Sequence, residues 1–448
     1  MLTLLGSATG PLCDGVNRRG FLRVGALGLG GLTLPALLRA RESQPTASKD
    51  RSVILYWMAG GPSHIDTWDP KPGAPAEVRG PFASMPTRAP GMRLCELLPE
   101  QAKVSDRFAV IRSLTHYDYE HPSAAHLVQT GYHEKNVQFR GQIYPAQGSI
   151  VAKLRGPNRP CVPPYVCIPD SYFARQGFFQ HATYLGHEYN PVNSGGEPTF
   201  RFTSPGPSFA LPADVTVARS DDRRELLKRL DAATKQASPE VARMDAAHQQ
   251  AFDLISSRAA KDAFDLSRES AKTRELYGAN PWGRGALLAR RLVESGVTFV
   301  TVNHYEADVD WWDDHTTIEK NLRKRLPPFD KALAALIADV HDRGLADEVL
   351  IVAMGEFGRS PKVDSQAGRG HWAKALSALV SGGGVQGGRI IGATTSNGGE
   401  PAINPYHPGD VLATIYQFLG IDPAATLPDR EGRPVRLVDT GKPIRELF

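Results

Sequence analysis

Ser52-Val53-Ile54-Leu55-Tyr56-Trp57, followed at once by Met58-Ala59-Gly60-Gly61-Pro62, is the stretch whose reading decides the fold. It carries no charge and is apolar from Val53 onward, which suits a strand buried on both faces. Gly-Gly-Pro then ends it as a turn signal. Two runs of the same kind lie far downstream, Val297-Thr298-Phe299-Val300-Thr301-Val302 and Glu348-Val349-Leu350-Ile351-Val352-Ala353-Met354. A helix over Leu287–Glu294, closed by Ser295-Gly296, precedes the first, and a helix around Pro328–His341, stopped at Gly344, precedes the second. Phe108-Ala109-Val110-Ile111 reads as a further short strand, Ser123–Thr130 as a helix and Asp410–Leu419 as a terminal helix. Apolar strands alternating with helices predict an α/β domain with a mostly parallel sheet covered on both faces. In such sheets ligands gather outside the carboxyl ends of the strands.

Between these elements the signals are weaker. Residues 70–91 are dense in Pro and Gly and read as a surface loop, and 155–215 carry Pro, Gly, Asn and aromatics without a periodic pattern. A charged, Ala-rich stretch predicts a helical insertion around residues 216–280, serving as an outer layer or as a lid over the site.

The amino terminus tells a separate story. Asn17-Arg18-Arg19-Gly20-Phe21-Leu22-Arg23 is followed by an uncharged run from Val24 to Leu38 and then by Arg39-Ala40. A membrane-spanning helix needs about 20 apolar residues, and the glycines here weaken one further. The order of features reads as a twin-arginine secretion signal over 1–40 rather than an uncleaved anchor, with a polar linker over 41–51 and the functional domain over 52–448. The expected destination is the periplasm or the exterior, reached through the twin-arginine translocase. Removing 1–40 takes away four arginines and Asp14, so the formal charge falls from +4 to +1. A nearly neutral body argues against nucleic acid as a partner. No other stretch is apolar enough to span a bilayer. Of the four cysteines, Cys13 leaves with the signal, while Cys161 and Cys167 stand close enough in sequence to pair in an oxidising compartment.

Three strand ends carry metal-type ligands: His64, Asp66 and Asp69 after the first; His304, Glu306, Asp310, Asp313 and His315 after the second; Glu356, then Arg359, Arg369 and His371, after the third. Imidazole with carboxylate suits a divalent ion such as zinc, manganese or iron, which activates water or polarises a phosphoryl oxygen. His121-Pro122-Ser123-Ala124-Ala125-His126 is a second candidate. Pro then Ser at a helix start reads as a cap, or as a nucleophile or anion held at free N–H groups.

Several of these stretches resemble the exported family called domain of unknown function 1501. They include Gly60-Gly61-Pro62-Ser63-His64-Ile65-Asp66-Thr67-Trp68-Asp69, Arg112-Ser113-Leu114-Thr115-His116 and Leu185-Gly186-His187-Glu188-Tyr189-Asn190-Pro191. Trp312-Asp313-Asp314-His315, Gly355-Glu356-Phe357-Gly358-Arg359-Ser360-Pro361 and Gly368-Arg369-Gly370-His371-Trp372 follow in the expected order. Asp314 and Gly370 depart from the family's usual Thr and Asp. The family is grouped with alkaline phosphatases and sulfatases, so the resemblance implies a three-layer α/β/α sandwich with two metal positions at the strand ends. It implies that Asp313, His315 and His371 form one position, with zinc, manganese, iron or calcium as candidate ions. Glu356 is implied as a further ligand or general base at a second position that Phe357 impoverishes. Met58-Ala59 replaces the usual ligating Asp of the first strand, leaving Asp66 or His64 to substitute. Glu120 stands where a sulfatase carries its nucleophile, so Ser123, His121 or Thr115 is the candidate instead, and Arg359 and Arg369 are candidate anion-binding groups. The implied activity is hydrolysis of a phosphate or sulfate ester, small-molecule or glycan. The alternatives are a non-catalytic exported protein that binds sulfated or phosphorylated glycans, or a structural protein of the cell envelope.

Overall fold

The computed structural model describes residues 50–169, 171, 179–195, 257–303 and 311–448. The stretch read as a secretion signal, Cys13 within it, most of the expected insertion (up to residue 256) and His304, Glu306 and Asp310 lie outside the described residues.

The strand read first from the sequence, β1 (Ser52–Trp57), is the centre of an eight-stranded sheet. The other strands are β2 (Phe108–Leu114), β3 (Tyr165–Ile168), β4 (Val192–Asn193), β5 (Phe299–Asn303), β6 (Val349–Met354), β9 (Leu376–Gly382) and β10 (Arg389–Ile391). A separate two-stranded hairpin, β7 (Gly358–Arg359) with β8 (His371–Trp372), stands beside the sheet. The order across the sheet is β10-β2-β9-β6-β1-β5-β3-β4. Neighbours run parallel except at β9, which is antiparallel to both β2 and β6.

Alternation along each strand feeds two cores, one on either face. Ile54, Tyr56, Val300, Val302, Ile351 and Ala353 face one core with α3 (Pro281–Ser295) and α4 (Ile318–Asp342). Val53, Leu55, Trp57, Leu350, Val352 and Met354 face the other with α1 (His121–Thr130), α2 (Gln147–Arg155) and α5 (Pro408–Phe418). Helices on both faces make the three-layer α/β/α arrangement, and they explain why β1 is buried at every position.

Some boundaries differ from those read in the sequence. Helix α4 does not begin near Pro328; it begins at Ile318 and runs through Pro327 and Pro328, giving up two backbone donors inside a 25-residue helix. Its apolar face, including Leu322, Leu326, Phe329 and Leu333, is buried against the sheet, and that packing outweighs the break. Cys161 and Cys167 are not joined: Cys161 is exposed, whereas Cys167 is buried on β3 and its thiol donates to Gln180 Oε1 at 3.2 Å. The described part of the insertion holds two short helices, Arg258–Phe264 and Ala271–Tyr277, clasped to α3 by Glu269 bonding Arg290 and Arg291. Among the described residues no helix is long and apolar enough to cross a membrane.

Candidate metal centre

Because β6, β1 and β5 are adjacent and parallel, their carboxyl ends open at one place: Trp57 pairs with both Met354 and Asn303. Gly60, Glu356 and the Trp311–Asp313 segment meet there. Trp312 N–H donates to the Ala59 carbonyl at 3.1 Å, and Gly60 N–H donates to Glu356 Oε1 at 2.8 Å. Helix α1 brings His121 to the same point from 235 residues away, with Nδ1 2.7 Å from Glu356 Oε1. The β7–β8 hairpin brings His371.

The result is a compact cluster. His121 Nε2 lies 3.3 Å from Asp313 Oδ2, His371 Nε2 lies 3.2 Å from Asp313 Oδ1, and ligand atoms of these three residues all fall within 4.8 Å of one another. His315 Nε2 is 3.0 Å from Asp313 Oδ1 and 2.9 Å from His371 Nε2, with its side chain half-exposed at the rim. Donor atoms about 2.0–2.1 Å from a tetrahedral zinc stand roughly 3.3 Å apart, so this spacing suits one ion.

The hydrogen bonds behind the cluster point the same way. Glu356 holds His121 Nδ1, and the Tyr119 carbonyl holds His371 Nδ1 at 2.6 Å. A carbonyl or carboxylate only accepts, so each Nδ1 is a donor and each Nε2 is turned toward an oxygen of Asp313. That is the outer bonding a metal-ligating histidine needs. His121 Nε2 is buried without a hydrogen-bond partner of its own, an orphan that an ion would satisfy.

Charge in the cluster is strongly coupled. Burial by itself lowers the His121 pKa, but Asp313 and then Glu356 outweigh it and push it up to about 9. Burial raises Asp313, yet its contacts with His121, His371 and Arg359 hold it well below the usual carboxylate range. Burial lowers His315 despite Asp313 beside it.

Not every expected site residue arrives here. Asp313, His315 and His371 are brought together, and His121, read from the sequence as a catalytic candidate, stands among them. Glu356 is placed behind His121, where it holds the ring rather than facing the other donors. Asp66 and His64 are corrected as ligands: Asp66 is fully buried against Arg369, with Arg369 Nε donating to Oδ2 at 2.7 Å, and His64 Nε2 contacts the Gly398 carbonyl at 2.8 Å. The same pairing corrects Arg369 as an anion binder. Arg359 is likewise turned inward, onto Asp313 and backbone carbonyls, with no exposed surface. Ser123 directs its hydroxyl at the Glu120 carbonyl, 3.4 Å away inside its own helix start. Thr115 joins no bond to the cluster; its carbonyl bonds His407 Nδ1 at 2.8 Å.

Two supports went unread in the sequence: His116, whose Nε2 bonds the Glu356 carbonyl at 2.7 Å, and Tyr119, which acts through its backbone. The motif Arg112–His116 marked the first. Nothing in a side-chain pattern marks a carbonyl.

Gly60 explains the double glycine. Its φ is +103°, and a Cβ there would stand 2.8 Å from both Asp313 N and Trp312 N. Gly60→Ala is therefore expected to destabilise the fold by about 2–4 kcal/mol and to displace Asp313. Chemical denaturation together with zinc titration measures both effects; unchanged stability and affinity would remove this account of the motif.

A family profile whose description reads "Protein of unknown function (DUF1501)" matches residues 50–448. No curated protein matches the chain at a significant level. Among solved structures, a sulfatase from Pseudoalteromonas sp. aligns at 12% identity and TM-score 0.38, over 91% of this chain and 72% of that one. The lipoteichoic acid synthase LtaP from Listeria monocytogenes aligns at 12% and 0.37, over 84% and 73%. A phosphonate monoester hydrolase from Silicibacter pomeroyi aligns at 11% and 0.32, over 88% and 75%.

Proposed function

The chain belongs to the DUF1501 family, and from that premise and the geometry of the strand-end cluster we propose that it is an exported, metal-dependent hydrolase of phosphate or sulfate esters. The observation that carries the reading is the pair of histidines, His121 and His371, each held at Nδ1 so that Nε2 faces the Asp313 carboxylate. His121, Asp313 and His371 would hold the ion, which when bound would supply Lewis acidity and a water of lowered pKa. Glu356 and the Tyr119 carbonyl fix the ring orientations, and His315 at the rim is the residue nearest to incoming substrate.

A second reading, a non-catalytic exported protein that binds sulfated or phosphorylated glycans, is favoured by one observation. Among the described residues no hydroxyl or thiol hydrogen-bonds to the cluster, Ser123 being turned to Glu120. The hydrolase reading makes water the attacking group. Zinc- or manganese-loaded protein is expected to release p-nitrophenol from a p-nitrophenyl sulfate or phosphate ester, with activity lost on chelation and restored by the ion. Bound ion without turnover of any ester would transfer the case to the binding protein. No bound ion at all would end both the hydrolase reading and its metal site.

A further inference from the structure

A cleft of about 760 Å³ opens between the short helix Ala76–Arg79, the start of α4 and the loop that joins β7 to β8. Ala76, Pro81, Ile318, Val363 and Ala367 give it apolar walls. Its volume lies within the range of about 300–1,000 Å³ usual for small-molecule sites.

The cleft adjoins the metal centre through shared backbone. His315, Thr316 and Thr317 are consecutive exposed residues; the first has Nε2 3.0 Å from Asp313 Oδ1, and the third lines the cleft. Two residues of chain span at most about 7 Å. Gly368 lies so close to the His315 carbonyl that a Cβ would overlap it, and Ala367 before it lines the cleft as well. An ester held at the centre and leaving it past His315 therefore meets the cleft next.

The walls are held in shape. Thr317 and Ala367 have φ of +48° and +55°, the left-handed region that a β-branched threonine in particular resists. Thr317 N–H donates to the Gln366 carbonyl at 3.1 Å and Ile318 N–H to the Ala367 carbonyl at 2.8 Å, which fixes both residues against that strain.

The charges that line the cleft cancel: Glu77 and Glu319 stand against Lys320 and Arg323. Arg323 is engaged with Glu319 at 2.8 and 3.0 Å and lies over the Phe82 ring at 5.4 Å. Among the described lining residues only Thr317 carries a neutral polar side chain. Resting on the metal-dependent reading above, we propose that the cleft is the subsite for the organic half of the ester, and that it takes an uncharged apolar group such as an alkyl chain in preference to a sugar. Each methylene buried there is worth about a fourfold gain in affinity. Sugar hydroxyls set against Ile318 and Val363 would lose water without gaining partners.

Titration calorimetry on the zinc-loaded full chain tests this with methyl and hexyl phosphate, the matching sulfates, and glucose 6-phosphate and 6-sulfate. The hexyl ester is expected to bind at least about tenfold more tightly than the methyl or glucose ester of the same anion, with a more negative heat-capacity change. Ala76→Trp fills the cleft from an exposed position, and Val363→Asp sets a charge in its apolar wall. Both are expected to remove the hexyl preference while leaving zinc and methyl-ester affinity unchanged, whereas Val363→Ile is expected to keep it. Hexyl esters that bind no more tightly than methyl or glucose esters would overturn the inference. So would a preference that survives both cleft variants, or methyl and hexyl esters weakened alike by both, because the cleft would then not be what holds the chain. No bound zinc, or no binding of any of these esters, would instead overturn the hydrolase reading beneath it.

Discussion

Asp313→Asn is expected to abolish stoichiometric ion binding, with zinc affinity falling on the order of 100-fold or more. Changes to residues that only support a metal ligand already cost about 10- to 100-fold, and Asp313 is both the central anion of the cluster and the partner of Arg359. His371→Ala is expected to act in the same direction, since it removes one of the three gathered donors. The pH dependence adds a sharper mark. His121 in the ion-free protein has its pKa pushed up to about 9, while coordination requires the neutral ring. Zinc affinity should therefore rise about tenfold per pH unit below 9 and level off above it, with one proton released per ion bound. The same shift stabilises the ion-free fold fully below the ordinary histidine pKa of 6.5, and that contribution fades as pH rises through about 9. Calorimetry in buffers of different ionisation enthalpy reads the proton directly. Affinity that does not change between pH 6.5 and 9 would show that His121 takes no part.

The largest effect on stability is expected at a pair outside the cluster. Asp66 and Arg369 are both fully buried, with Arg369 also donating to the carbonyls of Val78, Ser360 and Pro361 and Asp66 accepting from Ser63 Oγ at 2.5 Å. Arg369→Met leaves a carboxylate buried without its counter-charge and three carbonyls without their donor. Loss of one partner from such a pair costs about 3–5 kcal/mol. Adding Asp66→Leu removes the stranded charge and should recover part of that loss, the coupling expected of residues in direct contact. Denaturant midpoints of the two single variants and the double variant measure it. A double variant as unstable as the sum of the singles would mean that the pair acts through packing alone. The gain from pairing lies in the turn after β1: Asp66 and Arg369 tie Ser63–Asp69 to the β7–β8 hairpin that carries His371, so the centre should loosen along with the fold.

How legible the molecule is depends on the range of the interaction concerned. The strands β1, β5 and β6 were readable because burial on both faces requires apolar side chains at every position, a local property of the chain. A glycine at its end marked α3, since Gly296 adopts the left-handed conformation that other residues resist. The motifs around Asp313, His315 and His371 were likewise visible as residues, and the family match over 50–448 agrees with the resemblance they carry. Sequence periodicity could not supply the antiparallel direction of β9, because the alternation of a buried strand is the same in either direction. Nor could it carry α4 through Pro327 and Pro328, where tertiary burial overrides local propensity.

The sequence by itself thus determined the layer architecture and the residue types available at the strand ends. Only the tertiary structure decided which of those residues meet. His121 reaches Glu356 across 235 positions and Arg369 reaches Asp66 across 303, and whether a carboxylate meets an imidazole or a guanidinium depends on how helix α1 and the β7–β8 hairpin pack at the sheet's edge. That packing separates chemically similar carboxylates into different roles. Asp66 is neutralised by a buried arginine, Glu356 is set behind a histidine, and Asp313 is left with Oδ2 facing His121 and Oδ1 facing His371.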